Sequence, residues 1–345
     1  LAGAQYGAAG TPFVYRSTAG GTNWQPVAGA LPGTAVSALT STPTHSFLLY
    51  AAGDGGIHAA TISQGSLAEG GAWQSEGPRG GKASALAVSP NFAADGLAFA
   101  GDWLTSFRGS ESGLGIIRSQ DAGQTWAASF AGTEAYAYST AVHDFAFSPD
   151  FATDQTVFAA TWGGLFRSAD AGQTWAQVEA LYNGPPGAIT DVAVAPDFAA
   201  SGHLVAAGGY GGLNVSEDGG QTWTGLNFSL GELTYSPDFA ADQTIFGGRG
   251  DGFYRSTDRG LTWTGVLSQS VTAVAVSPNF AADQTVWGGG QAVYLSTDGG
   301  TTWISRTVAA EVTYIWALAV SPQFAVDQTL FAGTNSGCTG RWMAG

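Results

Sequence analysis

The chain is poor in the residues that most often betray a partner. Its 345 residues include one cysteine, Cys338, one methionine and one lysine, Lys82. A single thiol excludes an internal disulfide and leaves the redox compartment open. Only 11% of residues are charged, and 26 acidic side chains against 11 basic ones give a net charge of −15. Phosphate backbones and anionic lipid demand clustered Lys and Arg, so nucleic acid and charged membrane surfaces are excluded as partners. No apolar run approaches the roughly 18 residues that span a bilayer. His45, His58, His143 and His203 are scattered, without the spacing of a zinc site.

Glycine, with 52 residues, and tryptophan, with 12, are abundant. That combination describes a packed chain rich in tight turns. An internal repeat explains it. The string SADAGQTW at Ser168–Trp175 recurs as SQDAGQTW at Ser119, SEDGGQTW at Ser216, STDRGLTW at Ser256 and STDGGTTW at Ser296. A copy without the acid, STAGGTNW, begins at Ser17. A second string alternates with the first: SPDFATDQT at Ser148, with relatives at Ser89, Ala195, Ser236, Ser277 and Ser321, and a worn copy at Pro43.

Between these strings lie short alternating runs, read as four strands per unit: TAVAVSP, QTVFAAT, GGLFRS and TWAQV are examples. Such units predict a seven-bladed β-propeller of four-stranded antiparallel blades over residues 1–345, with eight blades as the lesser alternative. The N-terminal strands FVYRS and NWQPV are expected to complete a blade begun by the last two C-terminal strands, which closes the ring and removes its sheet edges. The first string falls in the turn between the third and fourth strands. There its Asp accepts backbone N–H groups and its Gly supplies positive φ, so Asp121, Asp170, Asp218, Asp258 and Asp298 read as scaffold. Asp154, Asp242, Asp283 and Asp327 of the second string read as turn caps.

The tail departs from the pattern. Where a third strand and another acidic turn are due, residues 338–345 read CTGRWMAG. Codons for these residues, read in a neighbouring frame, permit a hydrophobic–His/Tyr–Arg–Ser–hydrophobic–Asp–Gly–Gly sequence. The expectation is a frameshifted repeat, with Cys338 carrying no chemistry. No signal peptide is visible, and Leu1 is expected to follow a removed one.

The S-x-D-x-G-x-T-W strings resemble the Asp box, the bacterial neuraminidase repeat of sialidases, sortilin-type receptors, xyloglucanases and photosystem assembly factors. The resemblance covers nearly the whole chain and implies a propeller. It does not fix a function, because the families that share it do unrelated things. A sialidase would need an arginine triad and an F-R-I-P motif, and the nearest string here is the repeat element PFVYRS. Xyloglucanases of this type, with catalytic acids and aromatic platforms, are the better likeness, although they usually carry two propellers.

Departures from the repeat mark candidate functional residues. Five residues before each loop proline stand Ala38, Ala85, Asp144, Asp191, Glu232, Ala273 and Ala317. Three successive blades thus replace alanine with an acid, on first strands expected to line the central channel, near the mouth opposite the acidic turns. Like charges so placed raise at least one pKa unless a cation intervenes. Two chemistries follow. Asp144, Asp191 and Glu232 could serve as general acid, base or nucleophile, or could hold a divalent cation such as Ca²⁺. His143, beside Asp144, is expected to face away from it on a regular strand. Loops at the same end supply substrate-binding candidates: Trp103, Arg108, Trp162, Tyr210, Arg249, Asp251 and Trp316. Their aromatic faces suit sugar rings.

The expectation is an extracytoplasmic, monomeric hydrolase taking a glycan or other small ligand, with glycosides as the first substrate class. A metal-dependent esterase, lactonase or phosphotriesterase, and a non-catalytic glycan- or protein-binding propeller, remain the alternatives.

Overall fold

The computed structural model describes residues 14–336, apart from 28–30, 32–34, 44–45, 54–55, 64–65, 68–72, 76–82, 84, 102–114, 130, 133–140, 179–187 and 209–211. These residues form seven antiparallel sheets arranged as the blades of a propeller. The innermost strands of blades one to six are Val36–Ser41, Ala85–Val88, Val142–Phe147, Ile189–Val194, Glu232–Tyr235 and Val271–Val276. Each packs against the innermost strand of the next blade, and the seventh, Val312–Val320, packs against the first. Seven blades close the ring, which removes the eight-bladed alternative.

Blade seven is composite. Val312–Val320 pairs with Leu330–Ser336, which pairs with Val14–Ser17, which pairs in turn with Gln25–Pro26. Side chains reinforce the junction: the Tyr15 hydroxyl donates to Glu311 at 2.7 Å. The fully buried Trp287 of blade six donates its indole N–H to Gly20 O at 3.0 Å, which ties blades six and seven together. The strands Val14–Ser17 and Gln25–Pro26, within the FVYRS and NWQPV runs, lie where the repeat predicts them. Residues 1–13 and the 338–345 tail lie outside the described residues.

The recurring turns are built from side chains bonded to backbone. In blade six Ser296 Oγ accepts the Gly300 N–H at 2.8 Å and donates to Asp298 Oδ1 at 2.7 Å. Asp298 also takes the Thr302 N–H at 2.8 Å and the Thr302 hydroxyl at 2.6 Å. These bonds, the Thr302 hydroxyl first, hold the Asp298 carboxyl down at about 2. The same arrangement recurs at Asp121, Asp170, Asp218 and Asp258. The second string differs from the plain loop expected, because its Phe-Ala-Ala-Asp core is a single helical turn in blades two to seven, with Ser in place of Asp in blade four and small changes elsewhere. Its acid still caps: Asp154 accepts the Ser148 hydroxyl at 2.6 Å and the Thr156 N–H at 2.8 Å. A backbone bond from Ala171 to Gln155 O, 3.0 Å, joins the two strings and puts them at one end of the blade.

Blade four replaces the threonine of this string with His203. Its ring bridges Tyr235 Oη at 2.7 Å and Arg259 O at 3.0 Å, crossing to blade five. Burial, then the nearby Arg259 charge, pushes the imidazole pKa down. His203 is scaffold.

Two stability tests follow. Replacing Asp298 with alanine is expected to lower the melting temperature by a few degrees at neutral pH. Because the folded-state pKa is depressed, its contribution is present above about pH 4 and fades as pH falls through about 2. The difference between variant and parent should therefore shrink in acid; an undiminished difference at low pH would show that the carboxylate is not the operative group. Deleting residues 1–27 removes both N-terminal strands of blade seven and exposes the edge of Leu330–Ser336. The expected result is loss of cooperative unfolding, followed by calorimetry, with self-association seen by light scattering.

Candidate functional site

The three acids occupy one register position. Asp144 pairs with Ala160, Asp191 with Ala207 and Glu232 with Gly248. Ala38, Ala85, Ala273 and Ala317 hold the same place in the remaining blades, opposite Ala52, Gly101, Gly289 and Gly333. The innermost strands run from this point toward the helical turns, so the acids lie near the channel end remote from those turns, as the register predicts.

What the sequence did not reveal is a β-bulge immediately before Asp144 and Asp191. Register shifts between Val142 and Asp144 and between Ile189 and Asp191, and equally before Ala38, Ala273 and Ala317. A bulge places two residues opposite one and re-aims the side chains. The strict alternation assumed for His143 therefore does not apply. Its ring lies 6.1 Å from that of Trp162, its Nε2 is buried without a partner, and burial lowers its pKa.

Bulged backbone lets the acids reach the next blade. Asp144 Oδ2 accepts the Val192 N–H at 3.3 Å, and Asp191 is supported in the same way by the Leu233 N–H. Asp144 and Asp191 also hydrogen-bond to each other through their carboxyls. Asp191 is only 6% exposed, and as a carboxylate its Oδ2 would be a buried oxygen without a donor. A proton on Asp191 removes that defect by making it the donor to Asp144. The pKa shifts agree. Burial above all, then the charges of Asp144 and Glu232, raises Asp191 well above the carboxylate range. Burial also raises Asp144, against the pull of its hydrogen bonds. Burial and the Asp144 charge push Glu232 up to about 8. All three carboxyls are therefore raised, by burial first.

Among the described residues, no group of three or more His, Cys, Asp or Glu side chains is arranged to hold a metal ion. The cluster is organised by backbone N–H groups and by contact between the Asp144 and Asp191 carboxyls, which differs from the ready-made oxygen cage of a calcium site.

The binding candidates divide. Trp162, 44% exposed, follows the strand that pairs with Val142–Phe147, and its N–H donates to Ala141 O. Arg249 adjoins Gly248, the partner of Glu232. It forms an ion pair with Asp251, and its guanidinium lies 5.6 Å from the Phe228 ring and 5.7 Å from the Tyr254 ring. Trp316, 40% exposed, occupies the bulge of blade seven against Tyr314, their rings 4.8 Å apart. It stands two blades beyond Glu232 around the ring. Trp103, Arg108 and Tyr210 lie outside the described residues.

Fold and site thus define a seven-bladed propeller with a buried carboxyl cluster on three adjacent innermost strands. Comparison with known proteins carries this further only at the level of fold. No protein-family model matches the chain, and no curated protein matches it. Solved structures do. The GH74 xyloglucanase from Xanthomonas campestris superposes with a TM-score of 0.64 at 19% identity, over 92% of this chain and 53% of that one. The GH74 enzyme of Niastella koreensis gives 0.61 at 18% identity, over 87% and 51%. The extracellular domain of a putative one-component system from B. thetaiotaomicron gives 0.64 at 11% identity, over 90% and 38%. The chain spans between about a third and about half of the structures it resembles.

The titration of the cluster has a measurable consequence. Glu232 has a raised folded-state pKa, so its contribution to stability is full below about 4.5 and is lost as pH rises to about 8. Melting temperature should decline across that window, and Glu232→Gln should flatten the decline. An identical pH profile in the variant would mean that Glu232 ionises without cost.

Proposed function

We propose that the protein is a glycoside hydrolase acting at the carboxyl-bearing mouth of its channel. One observation carries the reading: three adjacent innermost strands bring together buried carboxyls whose pKa values are all raised, Glu232 to about 8. Glycoside hydrolysis needs one carboxyl protonated and another ionised. Glu232, partly exposed and raised to about 8, is the proton donor to the leaving oxygen. Of the Asp144–Asp191 pair, Asp144 is assigned as the base, because its hydrogen bonds pull against the rise that burial gives it. Its anion draws a proton from the attacking water as the C–O bond breaks, and the proton deficit on Glu232 is refilled through the cluster.

Exposed Trp162 and Trp316 offer apolar faces for sugar rings, and Arg249 with Asp251 offers polar contacts. Similarity in fold to two GH74 enzymes, one described as a xyloglucanase, supports glycans as the first substrates to test. Action outside the cytoplasm fits the extracellular origin of another structural neighbour.

The test is reducing-end release from xyloglucan and from mixed β-glucans by the purified chain. Glu232→Gln and Asp144→Asn should each lower the rate by about 10²–10⁴-fold while leaving the circular dichroism unchanged. Activity should fall as pH rises past about 8, where Glu232 loses its proton. Turnover that survives both substitutions would place the chemistry elsewhere.

A further inference from the structure

The channel mouth differs from blade to blade at the bulge. Strand pairing there skips one residue, the one just before the register of the acids. That residue is Ser37, Thr190 and Thr272 in blades one, four and six. Two of these hydroxyls are spent on backbone: Thr190 donates to Ala207 O at 3.3 Å and Thr272 to Ile315 O at 3.0 Å. Blades three and seven carry a large ring at the same place, His143 and Trp316.

Each of these rings belongs to a pair that presents one exposed indole. In blade three His143 packs beside Trp162, whose turn is rigid: the Thr161 hydroxyl donates to Gly164 O at 2.8 Å and accepts the Gly163 N–H at 3.1 Å. In blade seven Trp316 packs against Tyr314, whose hydroxyl shares a 2.8 Å hydrogen bond with Ser270 of the preceding blade. Indoles of the scaffold spend their N–H groups, as Trp303 does on Gly300 O and Trp287 on Gly20 O. The exposed indoles of Trp162 and Trp316 have no hydrogen-bond partner among the described residues. Both are braced ring faces left open at the mouth.

We infer that a glycan crosses the mouth in one direction, its glycone over Trp162 and its leaving fragment over Trp316. The inference rests on the hydrolase reading, with Asp144 as base and Glu232 as proton donor. Blade seven lies four blades from blade three one way around the ring and three the other, so the two indoles stand on opposite sides of the mouth. Along the line from Trp162 to Trp316, Asp144 comes first, then Asp191, then Glu232. A general acid sits at the glycosidic oxygen, on the leaving side of the bond, whereas the base serves the water that attacks the anomeric carbon. The water's hydroxyl therefore joins the glycone on the Asp144 side, and its proton goes to Asp144. The leaving oxygen takes the Glu232 proton and departs with the fragment on the Trp316 side. Ala273 and Ala317 put no carboxyl at the acid register between Glu232 and Trp316. Stacking on Trp316 would hold the leaving sugar in line with Glu232 without touching the bond that breaks.

The full chain tests this with paired substrates: the β-fluorides of cellotriose, xylotriose and mannotriose, each against the hexaose of the same sugar. Fluoride is too small to reach Trp316, whereas the hexaose leaves as a sugar. The readout is the ratio of kcat/KM on the hexaose to kcat/KM on the fluoride. Trp316→Ala should lower this ratio about tenfold, the loss of one stacked ring, and Trp316→Phe should restore most of it. Trp316→Gln should act as the alanine variant does, and keeps the test open should the smaller residue unsettle the strand. Trp162→Ala should slow both substrates alike. An unaltered ratio in the Trp316 variants, or a fall in the ratio with Trp162→Ala in their place, would overturn the inference and leave the hydrolase reading standing. A native chain that cleaves no substrate of any pair would remove that reading and the inference with it.

Discussion

The channel is organised by a bond made far from it. In each recurring turn a buried serine hydroxyl accepts the N–H of a glycine four residues on, as Ser168 does for Gly172 and Ser256 for Gly260. That bond fixes where the third strand ends and the fourth begins. Helical turns bonded to these tight turns then fix where the innermost strand ends. Blades with the same rim geometry must present the same innermost residue at the same height. Three acids from three blades meet for this reason, although long stretches of chain separate them.

Meeting has a cost, which the fold meets with backbone donors and a proton. Carboxylates crowded in a narrow channel lose hydration and repel one another. The bulges before Asp144 and Asp191 turn these two toward N–H groups of the following blade, and the two share a hydrogen bond. The same contacts stitch adjacent blades at the channel. A site that is also a seam is held in place without extra scaffolding, which suits catalytic groups that must not drift.

Much of this was legible in the sequence. The repeat pointed to seven blades over eight, to the composite closure and to the register of Asp144, Asp191 and Glu232, because each follows from counting against a fixed turn. The bulge was not legible. It occurs in most blades, acidic or not, so no departure from the repeat announces it, and His143 was consequently assigned a face by alternation alone. Nor did the Phe-Ala-Ala-Asp turn look helical, being too short for any periodicity. Trp175 shows the limit in another form: its string is among the best copies of the repeat, yet its indole bonds to Ser129 instead of Gly172. Sequence identity of a motif does not reveal which neighbour answers it.

The central claim is that the three carboxyls titrate as one cluster whose pKa values are all raised. Carbon-13 NMR of the Asp and Glu carboxyl carbons, followed from pH 3 to pH 10, measures this directly. Glu232 should titrate near 8, and Asp144 and Asp191 should change together, with one step well above the ordinary carboxylate range. Three independent transitions near pH 4 would contradict the claim and, with it, the assignment of Glu232 as the proton donor.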